Sequence, residues 1–247
     1  MRGVGHATMA AATWAAVSAA TPISVALVGA NSKVAVIAGG VIAAGAGLWP
    51  DLDHPKASPT IALPPLTTGI QKGIAAAGID HRGATHTLLA TGIVAGVVSA
   101  LSLTAMTVGA FKGFDPLLGV LSFLTMGMVI RVFHLRRSSW EAWVFGLLWA
   151  LAVVVLVPEV GWWLPAAVGI GYLMHLVGDW LTVGGVAWFA PFSKKRYALG
   201  WLGKVGSTRE AVLTWVLAAY LVGVTALMVI SPLPWLPEGS AVVGWLF

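Results

Sequence analysis

The 247-residue chain has no cysteine, which excludes disulfides, iron–sulfur ligation and thiolate zinc sites. Any tightly held metal must therefore rely on His, Asp or Glu. Charge is scarce as well. Only 9% of residues are Asp, Glu, Lys or Arg, against roughly 25% in a soluble domain. Nine are acidic in total. What is abundant is apolar sequence, 58% of the chain, giving a mean hydropathy of +0.90. No water-soluble fold hides that much apolar surface. In hydrocarbon every backbone polar group must be satisfied internally, so the prediction is an all-α, polytopic membrane helix bundle. It is read as one membrane-embedded domain over residues 1–247.

Seven apolar stretches are long enough, or nearly so, to cross roughly 30 Å of hydrocarbon. They lie at about 7–29, 33–49, 85–108, 116–133, 140–157, 163–184 and 210–231, so about seven transmembrane helices are expected. The first could pass for a signal peptide, but His6 lies inside its run and the chain begins at Met1, so it is read as a retained helix kinked at Pro22. Threading the chain with the N-terminus in the cytoplasm puts all but Lys33 and Lys112 of the 14 Lys and Arg on the inner side. This positive-inside bias sets the expected orientation and explains the formal net charge of +5 without nucleic acid. Trp162, Trp163, Trp235 and Trp245 would form the outer aromatic belt, with Trp140, Trp143, Trp188 and Trp201 near the inner one. Pro64-Pro65 followed by Leu66 to Ala77 reads as a short interfacial helix.

The ionisable residues then fall at one depth. His6 opens the first span; Asp51, Asp53 and His54 follow the second; His81 and His86 lead into the third. His175 and Asp179 sit near the inner end of the sixth, and Glu210 starts the seventh. The outer segments contribute only Asp115, Glu159 and Glu238. Pro50-Asp51-Leu52-Asp53-His54-Pro55 packs two carboxylates and an imidazole onto a turn stiffened by proline. Such oxygen and imidazole donors suit hard or borderline divalent metals. His175 and Asp179 are i and i+4 and share a helix face within apolar sequence, where an ionisable side chain is costly. His81 and His86, five apart, need a break at Gly83 to reach one site, and Arg82 between them suits a phosphate or a membrane anchor.

Two residues read differently. His134, in a basic interfacial stretch with Arg131, Arg136 and Arg137, is left out of the site. Ser207-Thr208-Arg209-Glu210 reads first as a capping box, with a catalytic carboxylate as the alternative for Glu210. The run Phe192 to Tyr197 reads as a topogenic basic loop able to hold anionic headgroups.

Pro-Asp-Leu-Asp-His-Pro at 50–55, His-Arg-Gly-x-Thr-His at 81–86, His-Leu-x-x-Asp-x-Leu-Thr-x-x-Gly at 175–185 and Pro-Phe-Ser at 191–193 together resemble the YdjM-type family of bacterial inner-membrane proteins. The resemblance spans roughly residues 1–215 and implies a multi-pass plasma-membrane protein acting as a metal-dependent hydrolase. The ligand order is also remotely similar to that of zinc-dependent phospholipase C and P1 nuclease, which implies zinc and phosphate-ester chemistry. The expectation is thus a membrane metallohydrolase with metal ligands His6, Asp51, Asp53, His54, His81, His86, His175 and Asp179. Asp53, Arg82 and Glu210 are its catalytic candidates, one or more zinc ions its cofactor, and a phospholipid or lipid-linked phosphate its substrate. A metal carrier would call for midplane polar residues and internal repeats, neither of which is clear here. A scaffold with a structural metal would call for a closed coordination shell.

Overall fold

The computed structural model describes residues 1–19, 33–79, 81–108, 115–135, 138–157 and 161–230. Pro22, Lys112, Arg136, Arg137, Glu159, Trp235, Glu238 and Trp245 lie outside the described residues. Among the described residues eight α-helices follow in order: α1 Gly3–Ala19, α2 Lys33–Ala46, α3 Leu66–Ala76, α4 Leu88–Val108, α5 Pro116–Val132, α6 Ser139–Leu156, α7 Trp163–Trp180 and α8 Thr208–Ile230. Among the described residues there is no strand, only two isolated bridges in the connection between α7 and α8.

Helices α1, α2 and α7 form the centre, and small residues let their backbones meet. A Cβ on Gly171 of α7 would run into the Ala43 carbonyl of α2 and stand 2.9 Å from Ala46 Cβ. In a membrane, where apolar burial gives helices little reason to associate, such close approach supplies the packing energy instead. Trp14 of α1 lies against Gly39 and donates its Nε1 hydrogen to Val36 O at 2.8 Å. Around these contacts Ile42, Leu118, Leu164 and Val168 are fully buried.

Local signals set the helix ends. Asp115 accepts from Leu118 N at 3.0 Å and Pro116 opens α5, while the Ser138 backbone and hydroxyl both donate to Glu141 Oε2 at the start of α6. Helix α4 begins at Leu88, three residues later than the sequence suggests. Residues 84–86 form a 3₁₀ turn, and Thr87 Oγ1 then accepts from Ala90 N at 3.0 Å. Helix α7 stops at Trp180, short of residue 184, because the chain turns there into a strap clamped by the Thr182–Gly203 and Val186–Tyr197 bridges.

Outward faces are apolar. Leu147, Leu148, Leu151 and Val155 of α6 and Val212, Trp215, Val216 and Val222 of α8 are all more than half exposed. Surfaces of that extent belong against lipid. Among the described residues three helical segments are long and apolar enough to cross a membrane: Lys33–Asp53, Ser139–Leu156 and Thr208–Leu227. Leu88–Thr104 and Pro116–Val132 are apolar but shorter. The fold is therefore an all-helical membrane bundle. The expected first span reaches Ala19 within the described residues, and α7 carries His175 and Asp179 in its last turns, which lowers its hydropathy.

Candidate metal centre

The centre begins where α2 ends. Pro50 has no N–H to continue the helix, and residues 50–53 tighten into a 3₁₀ turn with Leu52 N on Trp49 O and His54 N on Asp51 O. That turn points its two carboxylates to different tasks. Asp53 is buried and gathers the following loop: its Oδ1 is 2.7 Å from His81 Nδ1, and its Oδ2 accepts from Arg82 N at 3.1 Å and Thr85 Oγ1 at 2.6 Å. Arg82 takes a left-handed φ of 61°, a conformation that costs a non-glycine residue energy and is held here by these bonds. Asp51 turns the other way, its Oδ1 lying 3.7 Å from His86 Nε2 and 3.8 Å from His175 Nε2.

Both of those imidazoles have their orientation fixed from behind. His175 Nδ1 donates to the Gly47 carbonyl at 2.7 Å. Thr85 gives its hydroxyl hydrogen to Asp53, so its oxygen is left to accept from His86 Nδ1 at 3.0 Å. Each ring therefore carries a proton on Nδ1 and turns Nε2 inward, where the two Nε2 atoms stand 3.2 Å apart. Asp179 Oδ2 lies 4.0 Å from each of them. Four donors tetrahedrally arranged around an ion at 2.0–2.1 Å stand about 3.3–3.4 Å apart. The separations of 3.2, 3.7 and 3.8 Å among His86, His175 and Asp51 are a slightly expanded version of three corners of that cage, with Asp179 4.0 Å from both imidazoles.

Two imidazoles and two carboxylates, with backbone or hydroxyl partners on the far nitrogens, are the donor chemistry of a divalent-ion site. Burial alone would depress the pKa of His86, but hydrogen bonding and attraction from Asp51 and Asp53 hold it up at about 9.

The remaining residues flank this cage. His6 stacks on His175 with ring centroids 3.7 Å apart and brings Nε2 to 3.3 Å from Asp179 Oδ1. Its buried Nδ1 has no hydrogen-bond partner among the described residues. Arg82 Nε is 3.6 Å from Asp179 Oδ2, on a side chain 28% exposed. Among the described residues three groups of donor atoms have mutual separations short enough for one ion: His6, His175 and Asp179; Asp51, His86 and His175; and Asp51, Asp53 and His81. The first two share His175 Nε2, the only ring nitrogen of His175 left free by the Gly47 bond, so they describe one position rather than two.

His54 belongs to none of these groups. Its Nδ1 accepts from Lys56 N, and its ring packs edge-on against His81. Glu210 also stands outside them, with its carboxylate engaged by Arg2 N at 2.6 Å and Gly206 N at 2.8 Å. The expected capping box is only half realised, since Glu210 N reaches Ser207 Oγ at 3.2 Å while the carboxylate bonds one residue further back. Exposed His134 lies apart from all of them.

Sequence reasoning did not identify Thr85, the Gly47 carbonyl or the Met1 amino group, which donates to Asp179 Oδ1 at 2.6 Å. Thr85 sits inside the His-Arg-Gly-x-Thr-His motif, so a signal for it existed. The other two are backbone groups with no side-chain signature.

A bundle with lipid-type outer faces and a buried His/Asp cluster at one end defines an integral membrane protein with a candidate metal centre. The chain belongs to the YdjM inner membrane protein family, whose model matches residues 1–232. No curated protein and no solved structure matches it. The expected likeness to zinc-dependent phospholipase C and P1 nuclease is not shown by these comparisons.

Proposed function

We propose that the protein is a metal-dependent hydrolase of the inner membrane, cleaving a phosphoester in an amphiphilic substrate at the cytoplasmic headgroup layer. The observation that supports this most is the pair of inward-facing Nε2 atoms 3.2 Å apart, each ring fixed through its other nitrogen. Asp51, His86, His175 and Asp179 would hold a divalent ion, with zinc the best fit to this mixed nitrogen and oxygen set, and His6 would back His175. When bound, such an ion polarises the phosphoryl oxygen and acidifies a water molecule.

The protein's own groups do the rest. Arg82, between Asp179 and the exterior, would neutralise the phosphate and the charge that builds on it. His81, held through Nδ1 by Asp53, has its other nitrogen on a ring 40% exposed. It would take the proton as water attacks phosphorus and return it to the departing alkoxide oxygen. In this reading Asp53 is a positioning residue and Glu210 fixes the chain around Arg2. The cytoplasmic orientation follows from the distribution of Lys and Arg.

The test is to purify the protein in detergent, quantify bound metal, and follow release of phosphate or alcohol from p-nitrophenyl phosphate and a short-chain phosphatidic acid. Turnover should vanish with chelator and return with zinc. His175→Ala should lose both metal and turnover, and full metal occupancy in that variant would overturn the proposal. Stoichiometric metal with no turnover on any phosphoester would reduce the site to a structural one.

A further inference from the structure

Between Asp179 and Glu210 the chain has no acidic residue but carries Lys194, Lys195, Arg196, Lys204 and Arg209, all exposed. Among these cations stand large apolar side chains with little cover: Phe192 is 86% exposed, Leu199 56%, Trp201 55% and Phe189 52%. A topogenic loop needs the charges, but it has no use for bare aromatics. The segment is also rigidly held. Its backbone bonds include Val186 N to Tyr197 O at 2.9 Å, Leu199 N to Trp180 O at 2.8 Å and Leu88 N to Trp188 O at 3.0 Å, which anchor it to the ends of α7 and α4. Basic and aromatic residues on an ordered interfacial element suit the acidic headgroup layer, with rings at the acyl boundary and ammonium groups at the phosphates.

The strap is braced internally and meets the edge of the candidate metal centre at one point, Arg82. Arg196 donates Nε to Gly184 O at 3.2 Å and an Nη hydrogen to Gly185 O at 2.9 Å. On the same turn, a Cβ at Gly184 would stand 2.6 Å from Arg82 Nη1, so the turn lies directly against the Arg82 guanidinium. Arg196 and Arg209 are thus engaged by backbone carbonyls, and Lys195 lies over the Tyr197 ring. The ammonium groups of Lys194 and Lys204 have no hydrogen bond or ion pair among the described residues.

We propose that residues 181–207 seat an anionic glycerophospholipid, its phosphate on Lys194 and Lys204 and its acyl region against Phe192, beside Arg82 and the metal centre. This names the substrate class of the function proposed above and depends on it for turnover, though not for binding. The experiment is native mass spectrometry of the detergent-solubilised full chain titrated separately with phosphatidylglycerol and phosphatidylcholine, without any activity readout. Phosphatidylglycerol should be retained in preference, and more weakly as ionic strength rises.

Lys194→Gln and Lys204→Gln should each weaken that retention about fivefold, with metal content and melting temperature unchanged. Phe192→Ser should weaken both lipids. Equal retention of the two lipids, or wild-type retention in the Lys194→Gln/Lys204→Gln double variant, would overturn the seat. Lipid preference without bound metal would instead overturn the hydrolase and leave the seat standing.

Discussion

Gly171→Ala tests whether the candidate metal centre depends on how closely α2 and α7 approach. The added methyl group would press on the Ala43 carbonyl and stand 2.9 Å from Ala46 Cβ. Carbon atoms prefer separations of about 3.5–4.0 Å, and neither neighbour is the flexible end of a side chain, so the helices must part by on the order of 1 Å. Overpacking of this kind costs about 1–3 kcal/mol. Residue 175 is one turn further along the same face of α7, and its Nδ1 bond to Gly47 spans the same junction. Metal–ligand distances tolerate only about ±0.2 Å, so a shift that large takes His175 out of the cage.

The expected result is at least a tenfold weaker zinc affinity, which removes about 1.4 kcal/mol of metal-derived stabilisation at saturating metal. Melting temperature in detergent, measured with chelator and with zinc, separates the two effects. The drop in chelator reports packing alone, and the additional drop in zinc reports the lost ligand. Gly92→Ala on α4, where a Cβ meets nothing within 4 Å, is the control and should be neutral or slightly stabilising. If Gly171→Ala binds zinc as tightly as the parent while melting lower in chelator, the coupling between helix approach and ligand geometry is refuted.

Other perturbations act on single contacts. Thr85→Val removes the acceptor for His86 Nδ1 and one donor to Asp53 without touching the cage, and should weaken metal binding by about 10–100-fold in an equilibrium competition with a chromogenic chelator. Because the pKa of His86 is raised from 6.5 to about 9, its contribution to metal-free stability is complete below pH 6.5 and is lost as pH rises through 9. A metal ion must displace that proton, so zinc affinity should rise over the same window, as calorimetry at several pH values would show. Glu210→Ala leaves Arg2 N and Gly206 N without their acceptor, and should cost about 1–3 kcal/mol of stability while metal content stays at the parent level.

The ligands were legible because the chain is so apolar. In a membrane protein with nine acidic residues, Asp51, Asp53 and Asp179 stand out, and the i, i+4 spacing alone puts His175 and Asp179 on one face. The division of labour between Asp51 and Asp53 was not legible. The two are two residues apart on a 3₁₀ turn, and only the fold reveals that one carboxylate faces the imidazoles while the other organises residues 81–85. The partners that fix the tautomers were hidden for a related reason. A carbonyl such as that of Gly47 exists at every position, and sequence cannot indicate which one a distant ring will meet. Helix α3 is found at Leu66–Ala76, where Pro64-Pro65 placed it, whereas the start of α4 came late because its first expected turn is the turn carrying His86.

The cage draws on the turn after α2, the loop before α4 and the end of α7, with His6 of α1 stacked behind. During synthesis the last of these, the end of α7 with His175 and Asp179, leaves the ribosome only after some seven-tenths of the 247 residues have been made. Until then the candidate site between α2, α4 and α7 has only part of its donor set. A metal ion bound between α2, α4 and α7 would therefore lock an assembly that lipid and backbone packing have already put in order.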